Sequence, residues 1–372
     1  MQLDCKLFEE MLAIDSVSGT ERGFAEFLSE RLVAESVNTA NSESVQCEVE
    51  QYEVGDGTLN LLFKWGCAPG QMPKVYLCSH LDTVPPYIPP KFKQIAEGEI
   101  LPDGTKACSA DTLITGRGSN DAKGQIFSMW SACHELQEES LDGGYGLLLL
   151  AGEETGSYGA KAYTANCPGG EWVIVGEPTD NKMVSSSKGT KAFEIKIHGK
   201  ACHSGYPELG TSAVGRFVDF VNVLRSIVFP SDPMLGATTW NIGKLTSDNP
   251  QNILSPLVEF RLYFRTTFAS DALVCKMMED LQLQYDYLEI KSLGGDTPER
   301  YRTFESYPVT PVSFGSDTPR LTGFPNRAMC GPGTIKVAHT GMEYVLLSEL
   351  EKAKEQYKDM IRTILRGTLE ER

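Results

Sequence analysis

No apolar run in this sequence approaches the ~20 residues that a membrane-spanning helix requires, so a bilayer is not an expected partner. Met1 to Glu10 mix Asp4, Lys6 and two glutamates with isolated apolar positions and lack the apolar core of a secretory signal. Basic residues are in deficit, 34 Lys and Arg against 50 Asp and Glu, and the net charge of -16 repels phosphate backbones and anionic lipids. Nucleic acid is therefore not expected either. The ten cysteines stand singly between Cys5 and Cys330 with no C-x-x-C pair, which reads as reduced thiols in a cytoplasmic protein. The turn-rich Gly116 to Gly124 segment fits neither G-x-G-x-x-G nor G-x-x-x-x-G-K-[ST], and no G-x-S-x-G elbow occurs. Nucleotide binding and serine-hydrolase chemistry gain no support.

What is present is enough apolar material, 41% of 372 residues, for two cores rather than one. Helical spacing recurs at Leu3, Leu7, Phe8, Met11 and Leu12, and again at Phe24, Phe27, Leu28 and Leu32, with Ser18 and Glu21 spaced as a capping box between them. Short continuous apolar runs follow at Lys74 to Ser79, Gly146 to Ala151 and Trp172 to Val175, the texture of buried strands, with a helical pattern at Gln125 to Glu138. The fold class expected is α/β. From about Lys188 the order becomes strand, helix, strand, strand, helix, strand, which is a ferredoxin-like β-α-β-β-α-β unit inserted into the first domain. The expected domains are 1–185 with 297–372, and 186–296, closed by a helix from Met342 to Leu365.

The chemistry-bearing residues stand at the carboxyl ends of the apolar runs. Ser79-His80-Leu81-Asp82 follows the first, Gly152-Glu153-Glu154 the second and Gly176-Glu177-Pro178 the third. In open α/β sheets ligands bind outside those strand ends, so these groups are expected to gather in one crevice. Singly, an acid after a strand caps the next helix and a lone histidine is packing. Histidine is scarce, five in all, and His80, His203 and His339 lie in Gly- or Pro-flanked loops, whereas His134 within a helix and His198 at a strand end read as structural. Asp121 remains as a carboxylate able to bridge two cations.

His80-x-Asp82, Gly-Arg-Gly-x-x-Asp121-x-Lys-Gly, Gly-Glu153-Glu154, Gly-Glu177-Pro-Thr and Gly331-Pro-Gly-Thr-Ile-Lys-Val-Ala-His339 resemble, in order and spacing, the motifs of the M20 metallopeptidase family. The resemblance runs from about Ser16 to Tyr344. It implies a mixed-sheet metallohydrolase domain in which His80, Asp121 and Glu177 hold one divalent ion and Asp121, Glu154 and His339 a second. Zinc suits such nitrogen and oxygen donors, and cobalt or manganese can replace it. Asp82 would accept the other ring N–H of His80, and Glu153 would be the general base.

Gly199-Lys-Ala-Cys-His203-Ser-Gly-Tyr-Pro resembles the family's lid segment. The resemblance implies a homodimer through that domain, with His203 stabilising an oxyanion in the other subunit. By the same resemblance Asn252, Arg265 and Gly333 would be substrate-binding positions. Phe314-Gly-Ser316-Asp317-Thr-Pro looks closest to acetylornithine deacetylase, so the expected reaction is hydrolysis of an N-acyl amino acid, with a desuccinylase, dipeptidase or carboxypeptidase as the alternative and a non-catalytic binding homologue as another. Leu254, Ser255 and Ala122 depart from the family pattern without removing a ligand, and the longer Pro85 to Leu113 segment, without the usual Trp, bears on substrate identity.

Overall fold

A computed structural model describes residues 3–39, 46–55, 57–68, 70–139 and 141–368. The chain divides into two compact units, Met1–Ser185 with Tyr301–Thr310 and Ser316–Arg372, and Ser186–Arg300 with Pro311–Gly315.

The first unit is built on a six-stranded sheet in the order Glu48–Gly55, Thr58–Trp65, Tyr145–Leu150, Val75–His80, Trp172–Val175 and Asn326–Met329. The last four strands are mutually parallel, and the first two form an antiparallel hairpin on one side, so the sheet is mixed. Because side chains alternate across a strand, Val75 and Leu77 enter one apolar layer and Tyr76 and Cys78 the other. On the first face lie the helices Cys5–Leu12, Arg22–Thr39, Lys123–Leu136 and Leu347–Leu365; on the second, Tyr158–Asn166 with Leu321 and Phe324. Burial on both faces explains why these strands read as unbroken apolar runs.

Two local expectations are corrected. The closing helix begins at Leu347, not Met342, because Tyr344–Leu346 pairs as a strand with Asp111–Thr115. The Ser18 and Glu21 capping box does not form: Ser18 donates its hydroxyl to Asp82, 2.7 Å away, and Glu21 accepts the Gly19 N–H instead. The Pro85 to Leu113 segment is a hairpin, Lys91–Ile95 against Asp111–Thr115, packed through Ile95, Leu101 and Leu113 on Val337 and Tyr344.

The second unit has the β-α-β-β-α-β order, with strands Gly189–His198, Thr239–Thr246, Leu257–Thr266 and Leu288–Gly294 and helices Ala213–Ser226 and Asp271–Gln284. The two middle strands of its antiparallel sheet are Leu257–Thr266 and Gly189–His198, as in ferredoxin-like folds. Alternate residues Val258, Phe260, Leu262 and Phe264 pack with Phe220, Leu224, Val274 and Met278 from the helices. Among the described residues no helix is long and apolar enough to cross a membrane. All ten cysteines are free of disulfides.

Candidate metal centre

Four parallel strands of the first unit end on one side of the sheet, and four of the five expected ligands, His80, Glu154, Glu177 and His339, come at or after their ends. His80 is the last residue of its strand and is buried. Its Nε2 lies 3.0 Å from Asp121 Oδ1. Its Nδ1 faces the backbone carbonyl of Asp82 at 2.9 Å, closer than the Asp82 carboxylate at 3.4 Å. The expectation named the Asp82 carboxylate beside this nitrogen; the nearer acceptor is the Asp82 main chain. The carboxylate is occupied otherwise, accepting the N–H groups of Glu153 (3.0 Å) and Glu154 (3.2 Å).

The Glu153–Glu154 turn is fixed from several sides. Asn60 accepts the Ala151 N–H and donates to the Gly159 carbonyl, both at 2.9 Å. Gly152 has φ +66°, and a Cβ there would lie 1.8 Å from a ring carbon of Tyr158, whose hydroxyl donates to Glu21 at 2.9 Å. Only glycine satisfies both the left-handed backbone and the ring above it.

Asp121 ends the Gly116 to Asp121 turn, just before the Lys123–Leu136 helix. Its two oxygens face different histidines: Oδ1 is 3.0 Å from His80 and Oδ2 is 3.4 Å from His339 Nε2. His339 also lies 2.8 Å from Glu154 Oε1. Glu177 follows the Trp172–Val175 strand, where Thr179 and Asp180 are hydrogen-bonded to Gly331 and Gly333. His80, Asp121 and Glu177 present ligand atoms all within 4.8 Å of one another, and so do Asp121, Glu154 and His339, and His80, Glu153 and Glu154.

The electrostatics are those of crowded, buried acids. Burial pushes the Glu177 carboxyl well above the usual carboxylate range, and the Asp121 charge adds to it. Burial does the same to Glu153; His80 pulls it back, while Asp317, Glu154 and Asp121 push it further. Asp121 goes the other way, its burial outweighed by hydrogen bonds to His339 and His80. His339 is pushed up to about 10 by its contacts with Asp121 and Glu154. Acids in such a crowd repel one another unless positive charge sits among them.

Sequence reasoning missed several contributors. Glu343, buried, accepts the N–H of Gly118, Asn120 and Asp121 and pairs with Arg117. Asp317 was read only as a branch motif; it is buried, and burial raises its carboxyl to about 6 beside His80. Gly333, expected at the substrate, has a backbone reason to be glycine: φ is +74° and a Cβ would lie 1.9 Å from Asn120 Oδ1. His134 stacks on Trp130 at 5.4 Å, and exposed His198 lies 3.4 Å from Glu289.

Within the second unit His203 and Asn252 come together. His203 forms an isolated bridge with Ile253, and the Ser204 N–H donates to the Asn252 carbonyl at 2.9 Å. Both residues are exposed. Arg265 is at the far end of the Leu257–Thr266 strand, half-buried, with its guanidinium 5.1 Å from the Tyr263 ring centre.

Residues 76–363 match the profile of Peptidase family M20/M25/M40. A probable carboxypeptidase of Aspergillus fumigatus is 30% identical over 96% of this chain and 85% of its own length. One of Emericella nidulans is 28% identical over 96% of this chain and 89% of its own. Among solved structures, a tripeptidase of Staphylococcus aureus superposes with TM-score 0.76 at 20% identity, covering 97% of this chain and 98% of that one. A dinuclear metal binding M20 peptidase of Bacillus subtilis superposes with TM-score 0.64 at 12% identity, covering 97% of each. These relatives carry peptidase names, which moves the expected acetylornithine deacetylase branch to second place behind the peptidase alternative.

Proposed function

The chain belongs to peptidase family M20/M25/M40, and from that premise we propose that it is a two-metal peptidase that releases the carboxy-terminal residue of short peptides. The observation that carries the reading is the division of the Asp121 carboxylate between His80 and His339. A carboxylate so placed would serve as the shared ligand of a pair of cations, with His80 and Glu177 able to hold one and Glu154 and His339 the other.

The donor set fits the metal the family implies. Two imidazoles and three carboxylates suit zinc, which we propose as the native ion, with cobalt and manganese able to occupy the same donors. When bound, such a pair supplies Lewis acidity to the scissile carbonyl and makes water a better nucleophile near neutral pH. The protein's own groups do the rest. The carboxylate of Glu153 takes the proton of the attacking water and returns it to the leaving nitrogen. Asp82 holds His80 through its carbonyl and the Glu153 and Glu154 amides through its carboxylate, so base and ligands keep one geometry.

The same proposal gives His203 the developing oxyanion and Arg265 and Asn252 the substrate's carboxylate, in a homodimer formed through the second unit. A free α-carboxylate is what a bidentate arginine recognises, which favours removal from the carboxyl end.

The test is a substrate panel read by mass spectrometry with zinc, cobalt and manganese supplied separately. An N-blocked dipeptide with a free carboxylate should be cut, and the same peptide as its C-terminal amide should not. Cleavage only of peptides with a free amino terminus, or release of acetate from N-acetylornithine alone, would replace this reading.

A further inference from the structure

Glu343 stands four residues beyond His339 and is 2% exposed. One of its carboxylate oxygens accepts three backbone N–H groups from a single turn, those of Gly118 at 2.9 Å, Asn120 at 3.2 Å and Asp121 at 3.0 Å. The other oxygen forms an ion pair with the buried Arg117 guanidinium. Its own backbone carbonyl accepts the Gly116 N–H at 3.3 Å. Every bond of this buried charge is therefore spent on the segment that ends in Asp121.

That concentration is unlike the ordinary satisfaction of a buried acid, which one arginine would achieve. A buried charge is costly to keep, and is tolerated where its hydrogen bonds fix an arrangement that apolar packing would leave loose. Here the fixed object is the backbone from which Asp121 projects, within a few degrees of freedom of a side chain whose two oxygens must face opposite ways. The segment that carries Glu343 also carries His339, so the bridging carboxylate and a ligand of one ion are tied to the same short stretch of chain. We propose that Glu343 is a positioning residue that aligns the Asp121 carboxylate between the two cations and thereby couples the two metal sites. This rests on the two-metal reading above.

The experiment titrates zinc into the chelator-treated full chain by calorimetry, with cobalt absorption in the visible as a second readout of ligand geometry. Wild type should bind two ions. Glu343→Ala should bind both about tenfold to a hundredfold more weakly, with altered cobalt bands, as loss of a group that orients metal ligands does. Glu343→Gln, which keeps an oxygen for the three amides, should recover most of that affinity, and His339→Ala should weaken one ion far more than the other. If Glu343→Ala does not fold, Glu343→Asp keeps the charge for Arg117, withdraws it from the turn and should weaken both ions. Two ions bound by a folded Glu343→Ala or Glu343→Asp with wild-type affinity, or a loss confined to one ion, would overturn the positioning role. Fewer than two ions in wild type would instead overturn the two-metal reading beneath it.

Discussion

The carboxylate of Asp82 accepts the backbone N–H of Glu153 at 3.0 Å across a sequence separation of 71 residues. Its second oxygen takes the Glu154 N–H and the Ser18 hydroxyl, and its carbonyl faces His80. One buried residue thus ties His80, at the end of one strand, to Glu153 and Glu154 in the turn after the neighbouring strand. Asp82→Ala should weaken zinc binding about tenfold to a hundredfold and lower kcat together with it. Calorimetry with steady-state kinetics reads both, and a fall in kcat with unchanged affinity would limit Asp82 to the base.

Glu153→Gln should separate binding from turnover. The amide cannot take a proton, yet Glu154 and the Asp82 contacts remain, so metal content stays at the wild-type value. Turnover should fall by about a hundredfold to ten-thousandfold. Metal analysis beside a peptide-hydrolysis assay checks the pair of outcomes; loss of metal would make Glu153 a ligand rather than the base.

Gly152→Ala should disturb the same turn from its other side. The added Cβ meets the Tyr158 ring and the backbone is left-handed at this position. A cost of about 1–3 kcal/mol in unfolding stability is expected from the overpacking. Denaturant unfolding at constant metal concentration measures it, and a neutral substitution would mean that the turn relaxes freely.

Glu135 links the Lys123–Leu136 helix, which follows Asp121, to the closing helix through Lys354 and Lys358. Burial raises its carboxyl, but the two lysines outweigh burial and hold it down at about 2. A carboxyl depressed in the folded state contributes stability above its unfolded value of ~4.3, and that stability is lost as pH falls through the folded value. Glu135→Gln should therefore lose about 1.5–3 kcal/mol at pH 7, the range of charge-assisted hydrogen bonds. The gap from wild type should close as pH drops from ~4.3 towards 2. A gap constant over that window would remove the ion pairs from the account.

The candidate ligands were legible because polar residues, among them one of only five histidines, stand at the ends of strands that are apolar on both sides, His80 after Val75–Cys78 and Glu177 after Trp172–Val175. The second unit was legible because alternation is clean, as at Val258, Phe260, Leu262 and Phe264. Errors arose where a distant partner overrode local spacing. Met342, Leu346 and Leu350 continue the period of the closing helix, yet Tyr344–Leu346 is drawn into a strand by Asp111–Thr115. Ser18 has capping spacing to Glu21 but bonds to Asp82, 64 positions away. Glu343 bonds to residues more than 220 positions earlier, and no local pattern announces such a partner. Substrate choice was the least legible, because the motif residues carry the hydrolytic chemistry, which is common to peptidases and deacylases.

Anomalous diffraction from zinc-loaded crystals tests the central claim most directly. The account predicts two zinc peaks about 3.5–4 Å apart, one bounded by His80 and Glu177, the other by Glu154 and His339, with Asp121 contributing one oxygen to each. A single peak, or two peaks that do not share Asp121, would contradict it.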